Sequence, residues 1–305
     1  MIDQCGWPAA STRDTGTTLL ADSMDQSMTE LAGEAWRLIV DDARDGATQM
    51  ALEEVAAETA LEDGLRTVRV YAWEPSTLSL GYRQDAETVD WEVCDREGID
   101  VTRRQTGGGG IYHDRYGDIS YTIVAPADKV PGNLMDCYDL FCEPVLEGLQ
   151  RMGVDADFAA VEQDSIYQPS CYLRDINPAH DVVAPANAGE AAQKISGNAQ
   201  YRQRDVVIQH GSISYDLEPE AHLGVFETDT DGETFTDRVT SIREQAGIDR
   251  EEAVETLATA LGEWCDAEDG TWRAAELEAA ADLAERKFGA DAWIRDREVL
   301  EASEQ

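Results

Sequence analysis

Segments typical of strands and of helices alternate along this chain, but they do not follow a regular strand–helix repeat. A doubly wound parallel sheet requires such a repeat, whereas an α+β fold with a mixed sheet does not. The sequence therefore predicts an α+β domain in which a mixed sheet is backed by helices. The 305 residues include 42% hydrophobic side chains, enough for one sizeable core, and no Pro, Gly or Ser-rich linker divides the chain.

The start of the chain differs in pattern from the rest. It mixes Ser, Thr, Asp and Gly with little periodicity and contains a second possible start at Met28. We interpret residues 1–33 as a poorly ordered N-terminal extension or a misplaced start, and residues 34–305 as a single catalytic domain.

Local patterns predict the individual elements. An Ala, Leu and Glu-rich helix begins near Asp45 and is closed by Gly64. The β-rich segments 68–73 and 77–82 are predicted to pair as a hairpin across Glu74-Pro75-Ser76. The remaining predicted elements are, in chain order, a helix near 85–97, strands at 99–103 and 117–126, a helix at 138–152 that contains Pro144, a strand at 181–184, a turn at Lys194, a strand at 200–209 running into His210, a helix with Val254, Leu257, Leu261 and Trp264 on one face, and a helix at 273–287.

The charge balance excludes two classes of partner. The chain has 63 acidic and 24 basic residues, a formal charge of -39. Such a surface repels phosphate, so neither nucleic acid nor an anionic membrane is expected as a partner. The composition resembles that of proteins from a high-salt cytoplasm, where a Debye length of about 3 Å at molar salt screens self-repulsion. We therefore interpret the acidity as an adaptation rather than a function.

The cysteines point to an intracellular setting. The six cysteines include no Cys-x-x-Cys pair and no cluster with histidine at metal-ligand spacing, so no metal site is predicted. Without a signal peptide they are expected to be reduced thiols, and the expected compartment is the cytoplasm. No apolar run approaches the roughly 18 residues of a membrane helix.

The densest chemical feature is a glycine-rich segment between two predicted strands. It reads Arg103-Arg104-Gln105-Thr106-Gly107-Gly108-Gly109-Gly110-Ile111-Tyr112-His113-Asp114. Glycines let a ligand approach the backbone closely, and the arginines supply positive charge, so a phosphate or an activated carboxylate would fit. A flexible loop with ordinary surface arginines is the alternative. The segment is neither a P-loop nor a dinucleotide fingerprint.

Three further segments carry candidate functional groups. Lys194 is one of only three lysines in the chain, and its ammonium could neutralise a phosphate or polarise a carbonyl. Cys171 follows Pro169-Ser170; a lone cysteine is usually a small buried hydrophobe, but a thiol near a lysine and glycine amides has what a nucleophile needs. His210 and His113 could transfer protons or could be structural.

Taken together, these motifs resemble the lipoate–protein ligase A family, the cofactor-transferase group that includes octanoyltransferases and biotin–protein ligases. The resemblance extends from about Asp45 to Trp293. The segments that carry it are DGATQMALEE, RVYAWEPSTLSLGYRQD, RRQTGGGGIYHDRYGDISYTI, KISGNAQYRQRDVVIQHGSI and ERKFGADAW. Biotin attachment is disfavoured, because RRQTGGGG differs from the Gly-Arg-Gly-Arg type of loop.

The resemblance implies a single catalytic domain of the biotin/lipoate ligase type, with a tunnel for a medium-length acyl chain. It implies that the acceptor is a lysine on a lipoyl domain of a 2-oxoacid dehydrogenase complex or on the glycine cleavage H protein. The catalytic residues that it implies are Cys171 and Lys194. The implied substrate-binding residues are Arg104, Gly107, Gly108, Gly109, Gly110, Ile111, Tyr112, His113, Gly197 and His210.

Two chemistries occur in this family. Ligases use ATP and Mg²⁺ to form an acyl-adenylate and carry an Asn-Asp pair where this chain reads Pro-Ser-Cys-Tyr. That replacement resembles the cysteine-dependent octanoyltransferases and amidotransferases, which take the acyl group from a thioester, such as that of acyl carrier protein, or from another lipoyl domain without a cofactor. Transfer through Cys171 is the preferred interpretation, although the segment between Cys171 and Lys194 is longer than expected.

The alternatives remain open at this point. One is an ATP-dependent ligase, which would need the family's second small domain as a separate chain. The other is a non-catalytic paralogue that binds acyl groups or lipoyl domains, against which the retained Lys194 argues.

Overall fold

The computed structural model describes residues 33–186, 191–202 and 205–299. The predicted extension, residues 1–33, lies outside this range apart from Gly33. The described strands are β1 (Trp36–Val40), β2 (Arg66–Tyr71), β3 (Thr77–Leu80), β4 (Asp100–Arg103), β5 (Ile111–His113), β6 (Asp118–Pro126), β7 (Asp157–Phe158), β8 (Val182–Ala184), β9 (Gln193–Arg202), β10 (Val206–Ser214) and β11 (Glu268–Asp269).

The helices cover both faces of the main sheet. They are α1 (Gly46–Glu62), α2 (Trp91–Glu97), α3 (Leu134–Arg151), α4 (Pro219–Gly224), α5 (Gly232–Arg238), α6 (Ile242–Ala246), α7 (Arg250–Cys265), α8 (Ala274–Leu283) and α9 (Asp291–Asp296). Short helical turns lie at Ala86–Thr88, Ala127–Lys129, Cys171–Leu173 and Ala284–Phe288. No helix in the described ranges is long and apolar enough to cross a membrane.

The main sheet has eight strands in the order β11-β1-β2-β6-β10-β9-β8-β7. Its first three strands are parallel, and the pairs from β2–β6 to β8–β7 are antiparallel. A second sheet has the order β4-β3-β5, with one parallel and one antiparallel pair. The fold is therefore α+β with a mixed sheet, as the irregular order of elements predicts.

Two apolar cores lie on opposite faces of the main sheet. One packs α3 and α7 against the sheet and contains Phe141, Leu257 and Trp264. The other packs α1 between the main sheet, the small sheet and the C-terminal helices. Helix α1 begins where the Asp45 side chain accepts a hydrogen bond from the Thr48 amide at 2.9 Å, and the chain leaves it through Gly64 at φ +69°. The predicted start and end of α1 are confirmed.

The predicted hairpin of residues 68–73 and 77–82 is wrong. Strand β2 pairs with β1 and β6 in the main sheet, whereas β3 belongs to the small sheet. All six residues of β2 are buried, because both faces of this central strand are covered, which an exposed two-stranded hairpin would not provide.

Two predictions around Lys194 are also wrong. Lys194 lies in strand β9 rather than in a turn, and the strand predicted at 200–209 is the end of β9 and the start of β10, which pair as a hairpin. His210 lies in the middle of β10 and not at its end. Strand β9 has buried polar residues, among them Ser196 and Asn198, so its sequence lacks the apolar alternation that identifies a strand.

The helix predicted near 85–97 is divided into a short helical turn, Ala86–Thr88, and helix α2. The remaining predicted elements are confirmed with shifted ends. The helix predicted at 138–152 begins earlier, at Leu134, where the Asn133 side chain accepts a hydrogen bond from the Met135 amide at 2.9 Å. It passes through Pro144 without ending. The predicted strands at 99–103, 117–126 and 181–184 correspond to β4, β6 and β8, and the last two predicted helices correspond to α7 and α8.

His222 on α4 is a buried histidine in an aromatic cluster. Its ring centroid lies 5.1, 5.3 and 4.9 Å from those of Tyr112, Tyr172 and Phe235. The Nδ1 atom has no hydrogen-bond partner among the described residues. Burial lowers the pKa of His222 to about 4, because the charged imidazolium would lose its hydration in this cluster.

Replacing His222→Phe should flatten the acid dependence of stability. In the unfolded chain this histidine takes up a proton below about pH 6.5, whereas in the folded chain it stays neutral until about pH 4. Lowering the pH from 7.5 to 5 should therefore cost the wild type about 2 kcal/mol of unfolding free energy at this group, a loss that the variant lacks. Urea denaturation at both pH values measures it; parallel declines in the two proteins would contradict it.

Candidate active site

Three segments that are far apart in sequence meet at one place. They are the turn that begins at Cys171, the start of β9 with Lys194, and the glycine loop between β4 and β5. The Lys194 Nζ atom lies 3.8 Å from Cys171 Sγ and donates a hydrogen bond to the Cys171 carbonyl oxygen at 3.1 Å. The lysine thus contacts both the side chain and the backbone of the cysteine.

Lys194 forms a buried ion pair with Asp181. Its Nζ atom lies 2.8 Å from Asp181 Oδ1, and both side chains are 3% exposed. Burial alone would lower the pKa of Lys194, but the Asp181 and Cys171 side chains outweigh burial and raise that pKa above its ordinary value. Burial alone would raise the pKa of Asp181, but the ammonium holds it well below its usual range. The lysine is therefore charged in the folded protein.

Sequence reasoning missed Asp181. The residue lies directly before β8, and within that strand Val183 pairs with Lys194, so the strand register brings the two side chains together. The only signal was its place at the start of a predicted apolar strand in a chain with very few lysines. A chain with 63 acidic residues offers too many similar carboxylates for this position to be recognised.

Cys171 differs from the other described cysteines in its exposure. It is partly exposed, whereas Cys94, Cys137, Cys142 and Cys265 are buried; all five are free thiols. Burial raises the pKa of Cys94 and Cys137 to about 11 and that of Cys142 and Cys265 to about 12. These four thiols stay protonated and inert at neutral pH. Accessibility and a neighbouring cation coincide at Cys171 alone in the described part of the chain.

The glycine loop is joined to the cysteine turn by backbone hydrogen bonds. The Gly110 amide donates to the Pro169 carbonyl at 2.7 Å, and the Cys171 amide donates to the Gly110 carbonyl at 2.9 Å. A Cβ atom on Gly109 would lie 2.8 Å from the Cys171 nitrogen, so only glycine permits this approach. Gly107 and Gly108 are exposed at the tip of the loop, with Gly108 at φ +96°.

Gly197 provides a second close approach, on strand β9. A Cβ atom there would lie 3.2 Å from Cys171 Sγ and 3.5 Å from Lys194 Nζ. A side chain at this position would crowd the sulfur and the ammonium. The predicted association of Gly197 with the site therefore has a steric basis.

The N–H groups of Arg104 donate hydrogen bonds to acceptors within the protein. Its Nε donates to Thr106 Oγ1 at 3.0 Å, Nη1 to the Ser79 carbonyl at 2.7 Å, and Nη2 to the carbonyls of Gly107 and Gly109 at 2.8 and 2.7 Å. Burial lowers the pKa of Arg104 to about 10. In this structure the guanidinium shapes the glycine loop from beneath. Arg103 is likewise buried and donates to the Gly81 and Ile294 carbonyls.

His210 is held between two side chains that the sequence did not single out. Its Nδ1 lies 2.9 Å from Glu53 Oε1 on α1, and its Nε2 lies 2.8 Å from Thr106 Oγ1. Burial alone would raise the pKa of Glu53, but His210, Arg69 and Thr122 together outweigh burial and lower that pKa. Both ring nitrogens are therefore engaged away from Cys171, and the histidine supports Arg104 through Thr106.

His113 is engaged in the same way on the other side of Arg104. Its Nδ1 lies 3.1 Å from Asp118 Oδ2 and its Nε2 lies 2.9 Å from Ser79 Oγ. Neighbouring Tyr112 donates to Asp114 at 3.2 Å, and Ile111 packs in an apolar cluster that contacts Cys171. No group of three or more metal-ligating side chains converges anywhere in the described ranges.

The chain matches the family model described as the lipoyl protein ligase A/B catalytic domain over residues 45–262. It belongs to this family. Octanoyltransferase LipM of Kyrpidia tusciae is 34% identical over 278 residues, which cover 85% of this chain and 98% of that protein. The LipM of Bacillus subtilis is 31% identical over 202 residues, covering 63% of this chain and 70% of that protein.

Solved structures of similar fold come from the same family. A bipartite lipoate protein ligase from Thermoplasma acidophilum, studied with its E2 lipoyl domain, has a TM-score of 0.72 at 20% identity, covering 88% of this chain and 99% of that one. A lipoate-protein ligase A bound with ATP has a TM-score of 0.70 at 21% identity, covering 87% and 100%. The predicted lipoate-ligase fold is thereby confirmed.

Within this lipoyl ligase fold, we expect the Gly109→Ala substitution to be more disruptive than Gly107→Ala. The added methyl at 109 meets the Pro169 carbonyl and the Cys171 nitrogen at 2.7 and 2.8 Å, whereas at 107 it meets nothing within 4 Å. Gly109→Ala should lower the unfolding free energy by about 1–3 kcal/mol, and Gly107→Ala by less than about 0.5 kcal/mol. Urea denaturation measures both, and equal losses would refute the close approach at Gly109.

Proposed function

We propose that this chain transfers an octanoyl or lipoyl group to the acceptor lysine of a lipoyl-domain protein, through a thioester on Cys171. The observation that carries the proposal is the 3.8 Å contact between the partly exposed Cys171 sulfur and the charged, buried Lys194 ammonium. The relatives named octanoyltransferase LipM support the same reaction class.

The first step loads the enzyme. The Cys171 thiolate attacks the carbonyl carbon of an acyl thioester, a new S–C bond forms, and the carbonyl electrons move to oxygen. When the tetrahedral intermediate collapses, the donor's C–S bond breaks and the donor leaves as a thiolate. Acyl carrier protein is the proposed thioester donor. An already modified lipoyl domain is the second proposed donor; there the C–N bond of the acyl-lysine amide breaks instead, and the lysine takes up a proton from solvent and leaves as an amine. Neither route consumes a cofactor.

The second step unloads it. The neutral amine of the acceptor lysine attacks the thioester carbon, an amide bond forms, and the Cys171 thiolate leaves. The amine loses one proton overall, which passes to the departing sulfur or to solvent. The proposed acceptors are the lipoyl domains of 2-oxoacid dehydrogenase complexes and the glycine cleavage H protein.

Lys194 is proposed to act on the charge that develops in both steps. An ammonium has three N–H donors; here Asp181 Oδ1, the Cys171 carbonyl and Cys171 Sγ lie around it at 2.8, 3.1 and 3.8 Å. The position that faces the sulfur is the one that can stabilise a thiolate or the adjacent oxyanion. The amides of Gly110 and Cys171 already donate within the protein, so oxyanion donors from the glycine loop would have to come from other amides.

The acyl chain is proposed to lie against the apolar side chains next to the cysteine. Cys171 packs against a buried cluster that includes Ile111, Leu173 and Val239. Such a surface suits an octanoyl or lipoyl chain, because each buried methylene contributes about 0.8 kcal/mol. The tunnel itself and the substrate-binding roles of the glycine loop, His113 and His210 are parts of this proposal.

The second candidate function is an ATP-dependent lipoate–protein ligase. The lipoate ligases of the same fold are the observation that favours it. The described chain offers no group of three or more acidic, His or Cys side chains to hold a resident Mg²⁺, so the metal would arrive with ATP as part of the substrate.

A comparison of acyl donors separates these functions. Wild type, Cys171→Ala and Cys94→Ala would each receive octanoyl-acyl carrier protein, modified H protein, or free octanoate with ATP and Mg²⁺, in molar salt. We expect octanoyl-acyl carrier protein and modified H protein to leave a hydroxylamine-sensitive octanoyl adduct on Cys171 of the wild type and of the buried-thiol control, and none on Cys171→Ala. Intact mass and peptide mapping detect the adduct.

Two outcomes would replace the proposal. If Cys171→Ala still modifies a lipoyl domain when given ATP and free acid, the protein is a ligase. If no donor leads to modification of a lipoyl domain by any of the three proteins, the non-catalytic binding function takes its place.

A further inference from the structure

Asp118, on strand β6, is a buried carboxylate that the proposed reaction does not use. It is 3% exposed and accepts hydrogen bonds from Ser120, Ser212 and His113. We infer that Asp118 is a positioning residue that holds both the Cys171 turn and the glycine loop in place for acyl transfer. The inference rests on the proposed function, because that function makes Cys171 the nucleophile.

The first connection runs from Asp118 to the cysteine turn. Ser212 Oγ donates to Asp118 Oδ2, and the Tyr172 hydroxyl lies 2.9 Å from Ser212 Oγ. Because the Ser212 hydroxyl donates its only proton to the carboxylate, the Tyr172 hydroxyl must donate to Ser212 Oγ. Tyr172 follows Cys171 directly, and Ser212 pairs across the sheet with Gly197, the residue beneath the sulfur. The Asp118 carboxylate thus makes Ser212 an acceptor for Tyr172, the residue next to the nucleophile.

The second connection runs from Asp118 to the glycine loop. His113 Nδ1 lies 3.1 Å from Asp118 Oδ2, and its Nε2 lies 2.9 Å from Ser79 Oγ. The Ser79 carbonyl accepts a hydrogen bond from Arg104 Nη1 at 2.7 Å, and Nη2 of the same guanidinium holds the Gly109 carbonyl at 2.7 Å. The same oxygen, Oδ2, is therefore shared by the connections to both sides of the site.

The surroundings of Asp118 are buried and fully hydrogen-bonded. The Trp73 ring stacks on His113 with centroids 4.1 Å apart, and its Nε1 donates to Ser120 Oγ at 3.0 Å. Ser120 in turn donates to Asp118 Oδ1 at 2.6 Å. Trp73, Ser120 and Ser212 are each 1% exposed. A buried network in which every member has a partner specifies one arrangement, and a missing acceptor leaves a donor unsatisfied.

The arrangement requires a carboxylate rather than an amide. An asparagine has one acceptor oxygen and one NH₂ group, so at position 118 one of its two ends would present donors to donors. If the NH₂ group faced Ser212 and His113, these hydrogen bonds would form only with Ser212 as the donor to Tyr172 and with the other tautomer of His113, so the direction of both connections would be reversed. If the NH₂ group faced Ser120, the contact to Trp73 through that serine would be disturbed. The Asp118→Asn substitution keeps the shape of the side chain, and it changes this donor–acceptor pattern and removes the negative charge. Glu276→Gln removes a buried charge in the same way.

The test compares Asp118→Asn with Glu276→Gln. Glu276 is a matched control, because it is also buried and accepts hydrogen bonds from Arg37 and Thr59, but its contacts do not reach the site. In single-turnover octanoylation from an acyl carrier protein thioester, Asp118→Asn should lower the maximal rate roughly 10–100-fold, because a misplacement of reacting groups by about 1 Å can cost about 100-fold in rate. The donor concentration that gives half of the maximal rate should stay unchanged.

A second readout needs no acyl donor. The rate of alkylation by iodoacetamide at Cys171, followed by peptide mapping at neutral pH, should fall roughly 3–10-fold in Asp118→Asn, because the sulfur is less firmly held beside the Lys194 ammonium. In Glu276→Gln both rates should stay at the wild-type value even if the melting temperature drops. A purely structural role for Asp118 would lower stability in both variants and leave both rates unchanged.

A milder variant covers the possibility that Asp118→Asn does not fold. Tyr172→Phe removes only the hydroxyl and should slow octanoylation in the same direction, and the double variant should be no slower than Asp118→Asn alone, because the two residues act through one connection. Wild-type rates in both single variants, or fully additive losses in the double variant, would overturn the inference. If the wild type is alkylated at Cys171 but never octanoylated, the proposed function fails instead.

Discussion

The buried ion pair between Lys194 and Asp181 is the interaction on which the site depends. Both side chains are almost fully enclosed, and removing either partner alone would leave an uncompensated charge, at a cost of about 3–5 kcal/mol. The pair also holds the cysteine, because the same ammonium contacts the Cys171 carbonyl and sulfur. The Lys194 ammonium therefore contributes both to the stability of the fold, through Asp181, and to the position of the Cys171 sulfur.

The pair also explains why strand β9 is unusual. Its first six residues include Lys194, Ser196 and Asn198, all buried, together with Gly197, which leaves room for the sulfur. A strand built to present polar groups inward cannot show the apolar alternation from which strands are predicted. For this reason the sequence suggests a turn at Lys194 and misplaces His210, although it brings attention to the right residues.

The sequence singled out the cysteine, the lysine and the glycine loop, because of their rare or dense patterns and the residues around them, and its resemblance to the lipoate–protein ligase A family implied that the cysteine and the lysine act together. It could not predict the acids that support them. Glu53, Asp118 and Asp181 are chemically identical to dozens of surface carboxylates, and only burial and register distinguish them. The sequence also cannot show which acceptors an arginine uses. The charge of Arg104 suggested a ligand contact, but its N–H donors bind the carbonyls of the glycine loop.

The network around Arg104 has two similar halves. Each half joins a buried carboxylate, a histidine and a hydroxyl: Glu53, His210 and Thr106 on one side, Asp118, His113 and Ser79 on the other. Arg104 lies between them and fixes the loop. Because these groups are buried, salt screens their interactions far less than it screens those of the acidic surface. A change in salt concentration should therefore alter the geometry of the site very little.

Single-turnover octanoylation of Cys171 in the double variant Lys194→Met/Asp181→Asn shows whether the Lys194–Asp181 ion pair is needed for acyl transfer. This change replaces the ion pair with neutral side chains and leaves no lone buried charge. We expect a rate roughly 100–1000-fold below wild type in a protein that still folds, as loss of a transition-state charge donor produces. The matched pair Arg37→Met/Glu276→Gln, which removes a buried ion pair elsewhere, should stay close to wild type. A wild-type rate in Lys194→Met/Asp181→Asn would show that the ion pair is not needed for acyl transfer.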